Sequence, residues 1–187
     1  MNKEIILENN KPIISSTDKK GHILYVNDYF CEISGFTEDE LIGANHNIIR
    51  HPDMPKAIFY LMWKSLLKDK KNFKGVIKNR TKNDDFYWVI TDFSFEDVEN
   101  FTIYSATRTK PNCFLIKRVS YIYNRMLEIE KENPEDPIQA PLKFLNDVIH
   151  ASGYEDYNSF INYLTEETCV CHGSGGCFKE RDRKKES

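Results

Sequence analysis

The sequence predicts an α+β domain in which one five-stranded antiparallel sheet carries short helices on one face and is followed by C-terminal helices. Three observations point there. Residues 12–109 are dense in aromatic and β-branched side chains, turn signals recur between them, and the segments run strand, strand, short helices, longer helix, then three strands. Helices inserted within such a strand order collect on one face of the sheet.

The elements follow in order. Residues 12–17 and 22–26 read as two strands joined by Asp18-Lys19-Lys20-Gly21, whose Asp opens the turn and whose Gly supplies positive φ. Residues 28–34 form a short helix ended by Gly35, and Thr37-Glu38-Asp39-Glu40 is a capping box that starts another, ended near Gly43. Asp53-Met54-Pro55 opens the longest helix of this region, running to about residue 68. Its Ile58, Phe59, Leu61, Met62, Trp63, Leu66 and Leu67 are apolar over much of the circumference, so burial is expected. Strands over 73–80, 86–95 and 101–109 follow. A helix from Pro111 to about residue 131 comes next, then three prolines (Pro134, Pro137, Pro141) and a further helical stretch over 142–164. The expected division is an N-terminal segment (1–11), the α+β domain (12–110), a connecting helix (111–133), a helical extension (134–165) and a cysteine-rich, charged, flexible tail (166–187).

Composition narrows the function classes. With 26 basic and 29 acidic residues the net charge is −3, so no global basic field exists to hold nucleic acid or an anionic membrane. No apolar run approaches the roughly 18 to 20 residues needed to span a bilayer, and no signal-peptide pattern is seen at the start, so the expectation is a soluble, cytoplasmic protein without direct membrane insertion. There is no convincing nucleophile with its base and no metal-hydrolase spacing, which argues against an enzyme. Three of the five cysteines crowd into the last nineteen residues, a poor pattern for a disulfide framework and a better one for metal binding or exposed thiols; Cys31 and Cys113 read as ordinary residues of the body.

Two places carry chemistry. In the strand over 73–80, alternation puts Phe73, Gly75, Ile77 and Asn79 on one face and Lys74, Val76, Lys78 and Arg80 on the other. Asn79 therefore shares the apolar side, where an unpaired amide costs about 1 to 3 kcal/mol, and a polar partner is expected beside it. A backbone carbonyl or water would satisfy it as well as a ligand. The second place is the run His46-Asn47-Ile48-Ile49-Arg50-His51-Pro52-Asp53-Met54-Pro55, a donor-rich loop at a helix start that suits a planar polar ring or a phosphate. The plain alternative is an N-cap Asp53, a packed His51 and a solvated Arg50.

Those segments, together with Val76-Ile77-Lys78-Asn79-Arg80-Thr81-Lys82-Asn83 and Phe86-Tyr87-Trp88-Val89, resemble the PAS domains of the Aer family of bacterial aerotaxis receptors and of stand-alone CetB-like energy-taxis proteins. The resemblance spans about residues 10–125. It implies a PAS fold that holds FAD noncovalently as a redox sensor for aerotaxis. The family's flavin-associated Arg, His and Asp fall on Arg50, His51 and Asp53, its strand asparagine on Asn79 and its helix tryptophan on Trp63. His46 and Asn47 belong to the same loop, and Phe73 and Trp88 are candidates to line the ring. Related sequences tend to carry Trp where this chain has Phe73, which makes the stacking surface smaller. Photochemistry of the light-sensing kind is not expected, since that requires a cysteine in an Asn-Cys-Arg-type segment and Cys31 lies on an earlier helix.

The same resemblance implies output through a membrane-bound chemoreceptor-like partner, which would hold the protein peripherally at the inner membrane, and leaves a homodimer through the PAS domain open. Two other readings stand beside it. One is a cofactor-free interaction module whose tail binds zinc through Cys169, Cys171, His172 and Cys177, enough for a Cys3His site although Cys-x-Cys is tighter than the usual clip. The other is a haem-based gas sensor using His46 or His51.

Overall fold

The computed structural model describes residues 2–166 and the backbone of residues 169–171 and 177–179. Its sheet consists of β1 (Ile13–Thr17), β2 (Ile23–Val26), β3 (Phe73–Arg80), β4 (Phe86–Val98) and β5 (Phe101–Thr109), in spatial order β2-β1-β5-β4-β3 with every pair antiparallel. This is a PAS fold. Its first and last strands are neighbours at the centre, with Ser15 opposite Ala106.

Local chemistry accounts for the connections. The Asp18 carboxylate accepts the amides of Lys20 and His22 at 2.8 and 2.9 Å, and Gly21 takes φ 82° to complete the β1–β2 turn. Asn27 caps α1 (Asp28–Ser34), and Thr37 with Glu40 forms the capping box of α2 (Glu38–Leu41). A 3₁₀ turn, His46–Ile49, is capped by Asn45 and leads into α3 (Lys56–Trp63).

Three expectations about elements change. The single helix to residue 68 is α3 followed by a wider π turn over Lys64–Lys68, with the Asp69 amide bonded to the Lys64 carbonyl. The widening occurs where Ser65 is engaged from outside the helix: its carbonyl takes the Lys71 amide and its hydroxyl the Lys71 carbonyl, both at 3.0 Å. β4 continues to Val98, three residues past the expected end, because β5 pairs with it that far. The helical stretch over 142–164 is two helices, α5 (Gln139–Ala151) and α6 (Tyr157–Glu166), since Gly153 turns the chain at φ 85° and Asp156 starts a new helix by accepting the Ser159 amide. In the tail, backbone strands β6 (Cys169–Cys171) and β7 (Cys177–Lys179) pair antiparallel.

The helix after the sheet is α4 (Cys113–Glu132), capped by Asn112. Cys113 is disulfide-bonded, which corrects its reading as an ordinary residue of the body, because separations along the chain do not report which cysteines the fold brings together; Cys31 is free.

Alternation sorts the sheet into two faces. Ile13, Ser15, Ile77, Asn79, Tyr87, Val89, Ala106 and Arg108 are buried on the side of α1–α3. On the opposite side Val76, Trp88 and Ile90 are also buried, under the segment that follows β5. That segment and the loop before α3 together seal the β3 edge. The Lys74 amide donates to Asn158 of α6 at 3.0 Å, the Val76 carbonyl accepts from Tyr123 of α4 at 2.9 Å, and the Lys78 amide meets the Met54 sulfur at 3.2 Å. An edge strand so capped cannot recruit another strand there.

Candidate functional site

Between the inner face of the sheet and α3 lies a cavity of about 410 Å³, within the ~300–1,000 Å³ range of small-molecule sites. Phe59, Met62 and Trp63 of α3 form its apolar wall, Ile77 and Phe93 its floor, and the exposed Lys19, Lys20 and Asn47 mark its open end. Trp63 packs edge-on against Tyr104, ring centroids 5.7 Å apart. A flat ring fits between such walls.

One side of the cavity is polar and built on three elements. Arg108 of β5 is 2% exposed. Its Nη1 donates to Ser15 Oγ of β1 at 3.0 Å and to the Ala106 carbonyl at 3.4 Å, and its Nη2 donates to His46 Nε2 at 2.8 Å. Ser15 Oγ also lies 3.2 Å from His46 Nε2. Burial, reinforced by the Arg108 charge, pulls the His46 pKa down to about 3, so the imidazole is neutral near pH 7 and its Nε2 lone pair faces the guanidinium. Burial lowers the Arg108 pKa to about 10, which leaves it a cation. No carboxylate among the described residues pairs with that charge.

Nearby polar atoms are also without partners. Asn79 lines the cavity at 4% exposure, and its Nδ2 has no hydrogen-bond acceptor. Tyr87, directly opposite on β4, has a buried hydroxyl toward which the Asn79 amide leans without a hydrogen bond of normal geometry, and the Thr91 hydroxyl, opposite Arg108, is buried without a partner. Burial pushes the Tyr87 pKa up to about 12, so it remains a neutral donor. Buried polar groups are normally satisfied, so donors left beside a cavity can receive a polar ligand there.

The residues singled out in the sequence divide into two groups. His46, Asn47, Arg50, Trp63 and Asn79 all line the cavity. The Arg50 guanidinium stacks 4.1 Å above the Phe59 ring and donates to the Met54 carbonyl, and Arg50 and Asn79 are bridged through their backbones. His51 and Asp53 lie behind this wall. His51 Nδ1 accepts the Asp53 amide at 3.1 Å, while the Asp53 carboxylate takes the Lys78 ammonium at 2.7 Å and is held below the usual carboxylate range, chiefly by that bond. These contacts fix the loop that presents Arg50. Trp88 is on the outer face of the sheet, with the Lys78 ammonium 6.0 Å from its ring. Phe73 faces inward but stacks in parallel on Tyr157 of α6, centroids 5.3 Å apart. Cys169, Cys171, His172 and Cys177 lie outside the residues whose side chains are described.

Sequence reasoning missed Arg108, Ser15 and Phe59. The signal for Arg108 was present: Tyr104, Ala106 and Arg108 share one face of β5, so a cation stands on an otherwise inward side.

Residues 23–104 match a family model described as PAS fold. The chain is 47% identical over 83 residues to the aerotaxis receptor of Escherichia coli, a match that covers 44% of this chain and 16% of that protein. It is 28% identical over 81 residues to the nitrogen fixation regulatory protein of Klebsiella oxytoca, covering 43% and 16%. The chain thus spans about a sixth of the length of these curated relatives. Among solved structures, a PAS domain from a two-component sensor histidine kinase is 17% identical with a TM-score of 0.45, covering 55% of this chain and 87% of that one.

Proposed function

Residues 23–104 form a PAS domain, and from that premise we propose that the protein is an FAD-binding redox sensor for aerotaxis or energy taxis, signalling by contact with another protein. The observation that carries this is the cavity's polar side, where the buried Asn79 Nδ2 has no well-formed hydrogen bond and Arg108 keeps N–H groups beyond those its three protein acceptors take, so that a carbonyl-bearing aromatic ring would supply the missing acceptors. The 47% identity to an aerotaxis receptor lends the same reading its sensory context.

The donor set fits a flavin. Trp63 and Phe59 would hold the ring, Asn79 and Arg108 would donate to its polar edge, and the exposed Lys19 and Lys20 would offer positive charge to its phosphates. Arg50, braced by Phe59 and by the His51–Asp53–Lys78 contacts, forms the wall between ring and loop. The flavin supplies electron exchange with the cell's redox couples. What the chain contributes is orientation, exclusion of water and a fixed charge pattern whose fit changes with the ligand's charge. Such a change at Asn79 acts on β3, which Tyr123 and Asn158 tie to α4 and α6. Those helices are the proposed output surface toward a membrane-bound chemoreceptor-like partner. Among the described residues no helix is long and apolar enough to cross a membrane. A haem reading draws no support from His46, whose Nε2 is held by Arg108.

The test is an absorption spectrum of the protein purified, or reconstituted, with FAD. Flavin bands that bleach on dithionite addition are expected. A colourless protein that FAD does not reconstitute, or a Soret band, overturns the proposal.

A further inference from the structure

We infer that Arg108, presented by His46 and Ser15, is the residue that sets the redox poise of the bound ring by receiving its carbonyl-bearing edge. The inference rests on the flavin reading and deepens it. A guanidinium has five N–H donors, and three protein acceptors are engaged: Ser15 Oγ, the Ala106 carbonyl and His46 Nε2. Two donors are therefore left for a ligand in the cavity that Arg108 lines.

Its partners are all neutral. Ser15 and a backbone carbonyl carry no charge, and His46 offers a lone pair rather than a second cation. The Phe30 ring, 5.6 Å from the guanidinium carbon, supplies a weak cation–π contact. A buried cation without a carboxylate is expensive unless its field has a use, and the open space beside it is the cavity. The arrangement holds the charge while leaving it uncompensated. A fixed positive charge there favours whichever form of the ring is more negative, which for a flavin is the reduced one. Arg108 thereby raises the reduction potential.

His46 shapes this effect. Because its Nε2 accepts from Nη2, the imidazole orients the guanidinium without neutralising it. His46 and Ser15 are therefore positioning residues, and Arg108 is the group that touches ligand.

The experiment compares wild type, Arg108→Met, Arg108→Lys and Ser15→Ala, each loaded with FAD, by redox titration against indicator dyes and by fluorescence measurement of FAD affinity. Thermal melts of the FAD-free proteins run in parallel. Arg108→Met is expected to weaken the reduced form relative to the oxidised one by roughly 10- to 100-fold, lowering the two-electron potential by roughly 30–60 mV, with no drop in the FAD-free melting temperature. Arg108→Lys, which keeps the charge but loses the planar fork, should recover part of that potential. Ser15→Ala should shift it less. If wild type takes up no flavin, the functional reading itself fails. If wild type binds flavin but Arg108→Met retains both affinity and potential, the role of Arg108 is overturned and the flavin reading stands. Should Arg108→Met not fold, Arg108→Lys decides: an unchanged potential and affinity overturn the inference.

Discussion

Two buried polar clusters differ in how completely they are satisfied. At the cavity, Arg108 and Asn79 of its lining, with Tyr87 and Thr91 beside them in β4, retain donors that the described protein does not fully pair. At the β3 edge, Tyr123 and Tyr157 share a hydrogen bond of 2.6 Å, Tyr123 donates to the Val76 carbonyl, and the Tyr157 ring lies flat on Phe73. Burial raises the pKa of both phenols, so both stay neutral hydroxyls. The edge cluster is closed, and its role is to hold the C-terminal helices on the sheet. The cavity cluster is open, and under the proposed function a ligand would meet its demand. Satisfaction separates structure from function where burial alone does not.

That contrast predicts opposite responses to mutation. The largest effect concerns pH. His46 has a folded-state pKa near 3 against an ordinary value near 6.5, so the unfolded chain binds its proton more readily. Its contribution to stability is full above about pH 6.5 and declines as pH falls toward 3, by about 1.4 kcal/mol per pH unit and up to about 5 kcal/mol in all. Urea unfolding across that range should show the slope, and His46→Gln should flatten it; an equal slope in the variant would detach the cavity from acid sensitivity.

Next comes the closed cluster. Tyr157→Ala removes a ring stacked on Phe73 and the hydroxyl bonded to Tyr123, and should cost about 3–5 kcal/mol by denaturant unfolding. Flavin affinity in the surviving folded fraction should stay near wild type, and a parallel loss of affinity would merge the two clusters into one unit. The smallest stability effect is expected in the open cluster. Asn79→Leu replaces an unpaired amide with an apolar side chain of similar volume, so FAD-free stability should stay within about 1 kcal/mol of wild type or rise. Its flavin content should nevertheless collapse, read from the visible absorbance of the purified protein. Full flavin occupancy in this variant would remove Asn79 from the site.

Much of this organisation was legible in order along the chain. The turn at Asp18–Gly21, the caps at Asn27 and Thr37, and the inward side of Asn79 depend on neighbours a few residues away, and local pattern reports such neighbours well. The loop over 46–53 was identified by content, but its division of labour was not. Arg50 and His46 reach the cavity, whereas His51 and Asp53 brace the loop from behind, because the 3₁₀ turn and the chain reversal before α3 aim successive side chains in different directions. Trp88 was placed with the ring candidates because it is aromatic; the period-2 rule, applied to β4, puts it beside Lys78 on the other face.

The sequence by itself determined the order of the elements and the inward face of β3, which periodicity and short-range capping encode, and the PAS resemblance, which its motifs carry. Only the tertiary structure decided that Arg108, Ser15 and His46, from β5, β1 and the turn before α3, meet on one side of a cavity, and that Phe73 belongs to Tyr157. Those contacts join residues 31 to 93 positions apart. Their meeting depends on sheet order and register, which place β1 against β5 at the centre of the sheet and carry α6 back to the β3 edge.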